Sequence, residues 1–532
     1  MLHKAQEVLQ EVFGFTSFKG QQQAVIEQVL TGGNALVLMP TGGGKSLCYQ
    51  IPALLRPGVA IVVSPLIALM QDQVEHLKSL GVRAAALNSA LSWEEQLDIE
   101  RALRAGTYDL LYIAPERLLS PRSLELFKAL PIALFAIDEA HCVAQWGHDF
   151  RPEYLGLSQL AEHWPTVPRI ALTATANKQT RAEIAQRLGL DDAPEFVASF
   201  DRPNIFYHMV EKRAVKDQLL QWIRAQHPQD SGIVYARSRA RVEDISAFLR
   251  SKGIRAIPYH AGLSAQQRAT HQELFLQQPG VVVVATIAFG MGIDKPDVRF
   301  VAHVDLPRSI EGYYQETGRA GRDGLPATAW LAYGLQDAIQ LHRMVAESQA
   351  HGAFRQQQAD HINAMLALCE TTTCRRAQLL DYFGEQSSTC GYCDNCVDPA
   401  EQWDATIPAQ MLLSTVYRLW REFGQQFGAT HLIAIVRGQY TERVCQFGHQ
   451  HLSVFGIGAA YSTRQWRMIL RQLLAQHLLR VDTQGYGTFL LTEHSRAVLL
   501  SKQRVWLSHG RIDHLPKVPP QTQSHASRLA TA

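Results

Sequence analysis

Apolar positions along the chain follow two alternating periods. Short aliphatic and β-branched runs are separated by longer stretches in which apolar residues recur every three to four positions, the pattern of buried parallel strands joined by crossover helices. It occurs twice. The first stretch predicts strands at 35–39, 59–63, 110–113, 134–137 and 169–172, and the second at 232–235, 255–258, 281–284 and 300–304. Proline and a turn-forming Asn in Asp201-Arg202-Pro203-Asn204 interrupt the pattern, so α/β domains are expected at 1–203 and 204–335. The period then becomes helical and the chain cysteine-rich over 336–402. Over 403–512 helices precede a glycine-containing hairpin at 479–491, and 513–532 has the composition of a disordered tail.

Length agrees with several domains, since 532 residues at roughly 100–200 per domain give about three to five. With 46% hydrophobic and 19% charged residues, the chain is neither fibrous nor wholly disordered. No apolar run approaches the roughly 18 residues of a membrane span, and the first residues lack the apolar core of a secretory signal, so the expectation is a soluble, intracellular protein. Net charge is +2, but residues 401–532 hold 14 Lys+Arg against 7 Asp+Glu. That basic end suits a polyanion such as nucleic acid, and equally a decorated soluble surface.

Three segments carry chemistry. The first predicted strand runs into Pro40-Thr41-Gly42-Gly43-Gly44-Lys45-Ser46 and then an amphipathic stretch. Glycines between strand and helix let backbone N–H groups reach phosphate oxygens, Lys45 neutralises β/γ charge, and the Ser46 hydroxyl can ligate Mg²⁺. A strict phosphate loop has a further Gly where this chain has Met39. Next, the apolar run 133–137 delivers Asp138-Glu139-Ala140-His141 at a strand's carboxyl end, where doubly wound sheets bind ligands. Asp138 would hold Mg²⁺ through water and Glu139 would orient or deprotonate the attacking water. Third, Arg319 and Arg322 in the second α/β stretch are spaced to reach a γ-phosphate across a cleft, although alone they also read as a surface ion pair.

Two sheets sharing one nucleotide resemble the superfamily-two helicases. Within them the match narrows to the RecQ DNA helicases over about residues 10–510, through the segments 39–50, 64–73, 114–117, 172–176 and 285–295. This resemblance implies two RecA-like domains, then a helical zinc-binding module and a winged-helix domain. It places adenine at Phe15, Lys19 and Gln22, with ATP and Mg²⁺ held by Thr41, Gly42, Gly43, Gly44, Lys45, Ser46 and Asp138, and it adds His141 to the catalytic set. Family members often carry Tyr and Arg where this chain has Phe15 and Lys19, which keep stacking and charge but lose a hydroxyl and a planar fork. The segment 142–154 resembles the family's aromatic-rich loop, in which Trp146, His148, Phe150 and Arg151 would stack and pair with single-stranded DNA.

Cys374, Cys390, Cys393 and Cys396 supply four soft ligands with no open position, the composition of a structural Zn²⁺ site, while Cys369 reads as helix core. Residues 462–473 form a capped basic amphipathic pattern before the hairpin, winged-helix order, with Arg464 and Arg467 as DNA contacts. Tyr486, between two glycines at the hairpin tip, is placed either to stack on an opening base pair or to pack back on the recognition helix. Relatives commonly continue into a small helical HRDC domain, which is not expected in this sequence.

The function expected is an ATP-dependent DNA helicase acting on single-stranded and duplex DNA in repair, recombination, replication-fork maintenance and the SOS response. The resemblance implies 3′ to 5′ polarity, a cytoplasmic, nucleoid-associated location, and a single-stranded DNA-binding protein and a topoisomerase as partners. The alternatives are a double-stranded DNA translocase or RNA helicase of the same superfamily, or a non-catalytic winged-helix regulator.

Overall fold

A computed structural model describes residues 1–40, 42–88, 91–144, 151–287, 289–290, 295–348, 352–482 and 487–509. Its first sheet holds β1 (Ala35–Leu38), β2 (Val59–Val63), β3 (Ala84–Leu87), β4 (Leu110–Ile113), β5 (Ile132–Ile137), β6 (Arg169–Thr173) and β7 (Glu195–Val197). Their order is β3-β4-β2-β5-β6-β1-β7, and every pairing is parallel. The second sheet holds β8 (Ile205–Glu211), β9 (Gly232–Tyr235), β10 (Ala256–Tyr259), β11 (Val282–Ala285), β12 (Phe300–His303) and β13 (Ala327–Tyr333), ordered β10-β11-β9-β12-β13-β8, again all parallel.

Both sheets are wider than the apolar pattern suggested, by β3 and β7 in the first and by β8 and β13 in the second. Alanine explains two of these: Ala84-Ala85-Ala86-Leu87 and Ala327-Thr328-Ala329-Trp330 lack the β-branched density that marks a strand, yet small side chains pack well between helices on both faces. Tyr207 and His208 break the aliphatic run of β8, which pairs with β13 at seven positions.

Chain connectivity between the sheets is abrupt. The Ala198 N–H still bonds the Leu38 carbonyl of β1 at 2.8 Å, while one residue later the Ser199 hydroxyl donates to Glu385 at 2.6 Å and the Phe200 N–H to its other oxygen at 2.7 Å. Glu385 follows the helix Arg375–Tyr382 beyond the second sheet, and Phe200 stacks on Phe383 there at 4.6 Å. A second tie lies on the helix Lys178–Leu188 of the first domain, where the Arg181 guanidinium donates to the Phe383 carbonyl at 2.8 Å.

The helices Leu335–Ala346, Gly352–Glu370 and Arg375–Tyr382 pack against the second sheet. Asp394, fully buried, accepts from Arg375 Nε at 2.6 Å and from the Met209 N–H of β8 at 2.9 Å, joining the cysteine-rich segment to that sheet. Beyond it, the helices Thr406–Phe423, Ala429–Val436 and Thr463–Ala475 precede the antiparallel hairpin Leu479–Val481 with Phe489–Leu491. Strand Gln402–Asp404 pairs with Trp506–Ser508 and closes this last domain on itself. Among the described residues no helix is long and apolar enough to cross a membrane.

Candidate active site and metal centre

The phosphate loop leaves β1 and enters the helix Leu47–Leu55. Gly42 and Gly44 take φ of +83° and +75°, and a Cβ on Gly44 would fall 2.3 Å from the Gln22 amide, so glycine is needed for both backbone and space. Gln22, expected at the adenine, has backbone partners in the loop itself. Its Nε2 donates to the Gly44 and Gly43 carbonyls at 3.1 and 3.3 Å, and its Oε1 accepts from the Lys19 N–H at 2.7 Å, so it braces the loop. Lys45 is half-buried and its Nζ donates to the Met39 carbonyl at 3.0 Å, so Met39 contributes through its backbone where a glycine was missing. Burial lowers the Lys45 pKa, opposed by Glu139 and Asp138, and Arg322 lowers it further.

Asp138 and Glu139 end β5, with only β6 between them and the phosphate loop in the sheet. Glu139 has φ +48°, a left-handed conformation rare for a side chain of this length, and its N–H bonds Asp138 Oδ1 at 2.9 Å. Burial, with Glu139 adding, pushes the Asp138 carboxyl up to about 7. A part-buried carboxylate pair lining the same cleft as the Ser46 hydroxyl is a hard-oxygen donor set, which fits Mg²⁺. His141 is buried, with Nδ1 2.9 Å from the Thr173 hydroxyl of β6 and 3.3 Å from Glu139, so it links the carboxylates to the neighbouring strand.

The two arginines diverge. A Cβ on Gly42 would lie 3.7 Å from Arg322 Cγ, so the stem of Arg322 runs alongside the phosphate loop of the other domain. Arg319 is buried and donates to the Gly290 carbonyl within its own domain. Together with Phe13, the half-exposed Phe15, Lys19, Gln22, Lys45, Ser46, Asp138 and Glu139, both arginines line one cleft of about 590 Å³ between the sheets. Leu69, Gln73 and His76 of the helix Ile67–Ser79 also line it, the first two within the segment 64–73 and none of them among the expected site residues.

The aromatic-rich segment is anchored at both ends. The Arg151 N–H bonds the Cys142 carbonyl at 2.9 Å, its guanidinium donates to the Pro65 carbonyl at 2.9 Å, and the Tyr154 hydroxyl donates to the Asp138 carbonyl at 3.1 Å. Arg151 thus spends part of its fork on the segment 64–73 rather than facing outward whole. Trp146, His148 and Phe150 lie outside the described residues, as do Thr41 and Tyr486.

The four thiols of Cys374, Cys390, Cys393 and Cys396 lie within 4.8 Å of one another, and the Cys390 and Cys396 sulfurs are 3.9 Å apart. Tetrahedral Zn²⁺ with ~2.3 Å Zn–S bonds requires about 3.8 Å between sulfurs. Backbone N–H groups of Ala377 and Cys390 point at the Cys374 sulfur, and that of Tyr392 at Cys390, as thiolate ligands need. Cys369 is buried in the helix Gly352–Glu370 and stands outside this set, as expected of core.

In the last domain Ser462 caps the helix Thr463–Ala475 through a reciprocal box with Gln465. Arg467 is exposed, while Arg464, also exposed, donates to Glu211 of β8 at 2.9 Å. Arg471, within the basic pattern at 462–473 but not among the expected DNA contacts, is buried between Glu370 and Glu211 and fastens this helix to the body.

Sequence-family profiles match the chain in four places: a DEAD/DEAH box helicase domain at 19–184, a helicase conserved C-terminal domain at 212–324, a RecQ zinc-binding domain at 335–397 and an RQC domain at 399–513. The ATP-dependent DNA helicase RecQ of Pasteurella multocida (strain Pm70) is 46% identical over 516 residues, 97% of this chain and 81% of that protein. That of Haemophilus influenzae (strain ATCC 51907 / DSM 11121 / KW20 / Rd) is 44% identical over 527 residues, 98% and 84% of the two chains. In fold, the structure of the DEAD-box helicase Mss116 bound to ssRNA and UDP-BeF superposes with a TM-score of 0.53 at 14% identity, covering 69% of this chain and 82% of that one. A nucleotide cleft between two parallel sheets, a four-thiol centre and this sequence agreement lead to one conclusion: the chain belongs to the RecQ family of ATP-dependent DNA helicases, with ATP and Mg²⁺ at the cleft and structural Zn²⁺ at the cysteines.

Proposed function

We propose that this chain unwinds duplex DNA with 3′ to 5′ polarity, by closing and reopening the cleft between residues 1–203 and 204–335 with each ATP hydrolysed. The observation that carries the reading is Arg322 of one domain lying beside Gly42 of the other, opposite Lys45, Asp138 and Glu139. Lys45 neutralises the transferring phosphate, Glu139 orients the attacking water and takes its proton, and Arg322 stabilises the charge that develops as the bond to the leaving oxygen breaks. Ser46 and, through water, Asp138 would hold Mg²⁺, which would supply further charge neutralisation. His141 keeps Glu139 in place, Phe15 and Lys19 flank the adenine, and Thr41 to Gly44 wrap the phosphates. Arg319 supports the second domain's own backbone more than the phosphate.

Trp146, His148, Phe150 and Arg151 meet single-stranded DNA, and the anchoring of Arg151 to Pro65 offers a route from that strand to the cleft. The zinc module spans 336–402, and the winged helix over 403–512 holds duplex through Arg464 and Arg467, with Tyr486 at the strand-parting tip. Such a protein would act in the cytoplasm at the nucleoid, in repair and recombination, beside a single-stranded DNA-binding protein and a topoisomerase.

Strand displacement on forked, 3′-tailed and 5′-tailed DNA, with and without ATP, tests this. Unwinding of forked and 3′-tailed substrates is expected, lost in Lys45→Ala and Arg322→Ala. Equal unwinding of a 5′-tailed substrate rejects the polarity, and full ATP turnover in Lys45→Ala rejects the site.

A further inference from the structure

Arg322 is held by an irregular turn, since the helix Ile310–Thr317 ends before Gly318 and residues 318–324 follow no repeating hydrogen-bond pattern. Backbone carbonyls of that turn converge on one cation. Arg202 Nη1 donates to the Gly318 carbonyl at 3.0 Å, and its Nη2 to the Ala320 and Gly321 carbonyls at 2.9 and 3.2 Å. Two residues on, Asn204 Nδ2 donates to Gly321 again at 2.8 Å and to the Leu325 carbonyl at 2.9 Å. Gly321 is required for this approach, because its φ is +56° and a Cβ there would stand 2.4 Å from the Asn204 amide.

Arg202 belongs to neither sheet. It lies in the connection between β7 and β8, four residues past the last bond to β1. The same connection is also gripped by Arg376, whose Nη2 donates to the Pro203 and Ile205 carbonyls at 3.2 and 2.9 Å and whose Nε lies 3.4 Å from Asp201. The strand that joins the two domains is therefore also the scaffold of the arginine-bearing turn.

We infer that Arg202, assisted by Asn204, is a positioning residue for ATP hydrolysis, setting where Arg322 stands relative to the phosphate loop through five hydrogen bonds to the turn's carbonyls. This rests on the role proposed for Arg322. Arginine is required because its planar fork reaches three acceptors at once, whereas a lysine offers a point charge. A misplacement on the order of 1 Å at a transition-state contact costs up to ~100-fold in rate.

Four variants test it in the full chain: Arg202→Lys, Asn204→Ala, Arg322→Ala and the double Arg202→Lys/Arg322→Ala. Single-stranded-DNA-stimulated kcat and KM for ATP are measured, with the affinity for ADP plus aluminium fluoride relative to ADP alone. Arg202→Lys is expected to lose about 10- to 100-fold in kcat, with KM within about threefold and the aluminium fluoride preference reduced in parallel. Asn204→Ala loses less in the same pattern. The double variant is no slower than Arg322→Ala, since the positioning residue acts through the group already removed. Unchanged kcat and fluoride preference in both Arg202→Lys and Asn204→Ala, or multiplied losses in the double, overturns the inference and leaves Arg322 its role. Normal turnover in Arg322→Ala overturns both. Should Arg202→Lys lose zinc or melt early, Asn204→Ala alone decides by the same split.

Discussion

Asp394 is the residue whose removal is expected to separate the zinc module from the second sheet. It is fully buried and meets three donors: Arg375 Nε and the Asn395 N–H at 2.6 Å each, and the Met209 N–H of β8 at 2.9 Å. Arg375 is itself buried, and its other donors bond the Leu368 and Cys369 carbonyls. Asp394→Ala therefore strands a buried guanidinium at about 3–5 kcal/mol and an N–H at about 1–3 kcal/mol; with overlap between these, about 4–6 kcal/mol of module stability is lost. At a urea sensitivity of about 2 kcal/mol per M, the midpoint falls by about 2–3 M. Zinc released into a chromophoric chelator during urea titration reports this module separately from the rest of a multidomain chain. Arg375→Met/Asp394→Leu removes both charges and is expected to be more stable than Asp394→Ala. A midpoint shift below about 0.5 M in Asp394→Ala, or a double variant weaker than the single, refutes the reasoning.

Cys393→Ser is expected to lower zinc to well under one ion per chain and to yield aggregated or protease-sensitive protein, since structural zinc contributes about 10–16 kcal/mol to folding; soluble protein with stoichiometric zinc by atomic emission would exclude this ligand. Trp146→Ala should keep basal ATPase and lose its stimulation by single-stranded DNA, measured as the ratio of the two rates; an unchanged ratio removes Trp146 from coupling. His431 Nε2 lies 2.8 Å from His449 Nδ1 in the last domain, and burial, with His449 and Arg443 adding, pushes the His431 imidazole down to about 4. Its folded pKa lies below the unfolded ~6.5, so the unfolded chain takes the proton first and stability falls as pH drops from about 6.5 to 4, by up to about 1.4 kcal/mol per unit. Thermal melts of the native chain and His431→Gln across that range should diverge; parallel curves contradict this.

The phosphate loop, the paired carboxylates and the zinc cysteines were legible because each is a short contiguous segment whose residue types answer to one chemistry. What spacing could not tell was direction. Arg319 and Arg322 are three apart in sequence, yet one turns to the Gly290 carbonyl and the other runs beside Gly42, a choice made by the turn they share. Gln22 looked like a base reader because its amide can serve adenine or backbone equally, and its bonds to Gly43 and Gly44 depend on a fold that brings residues 22 apart together. Arg202 gave no signal at all, since its acceptors are main-chain carbonyls more than 100 positions away. Strands rich in alanine, β3 and β13, escaped for a related reason: burial between helix layers selects small side chains there, and composition alone does not distinguish that from a helix.

The abrupt passage from Ala198 to Ser199 bears on how the cleft can move. The first domain is fastened to the remainder at that peptide, where Arg181 meets the Phe383 carbonyl, and where the Asn177 amide donates to Glu311 at 3.5 Å. Ties grouped at 177–181 and 198–200 would make rotation about a line through them easier than a slide. Closure on nucleotide would then resemble a door on its pin rather than two beads on a string, with little orientational freedom surrendered as the cleft shuts. The arc swept is set by the distance from that line to the bound strand, which would make the stroke per ATP a property of the fold's dimensions and largely indifferent to the sequence of the DNA it travels.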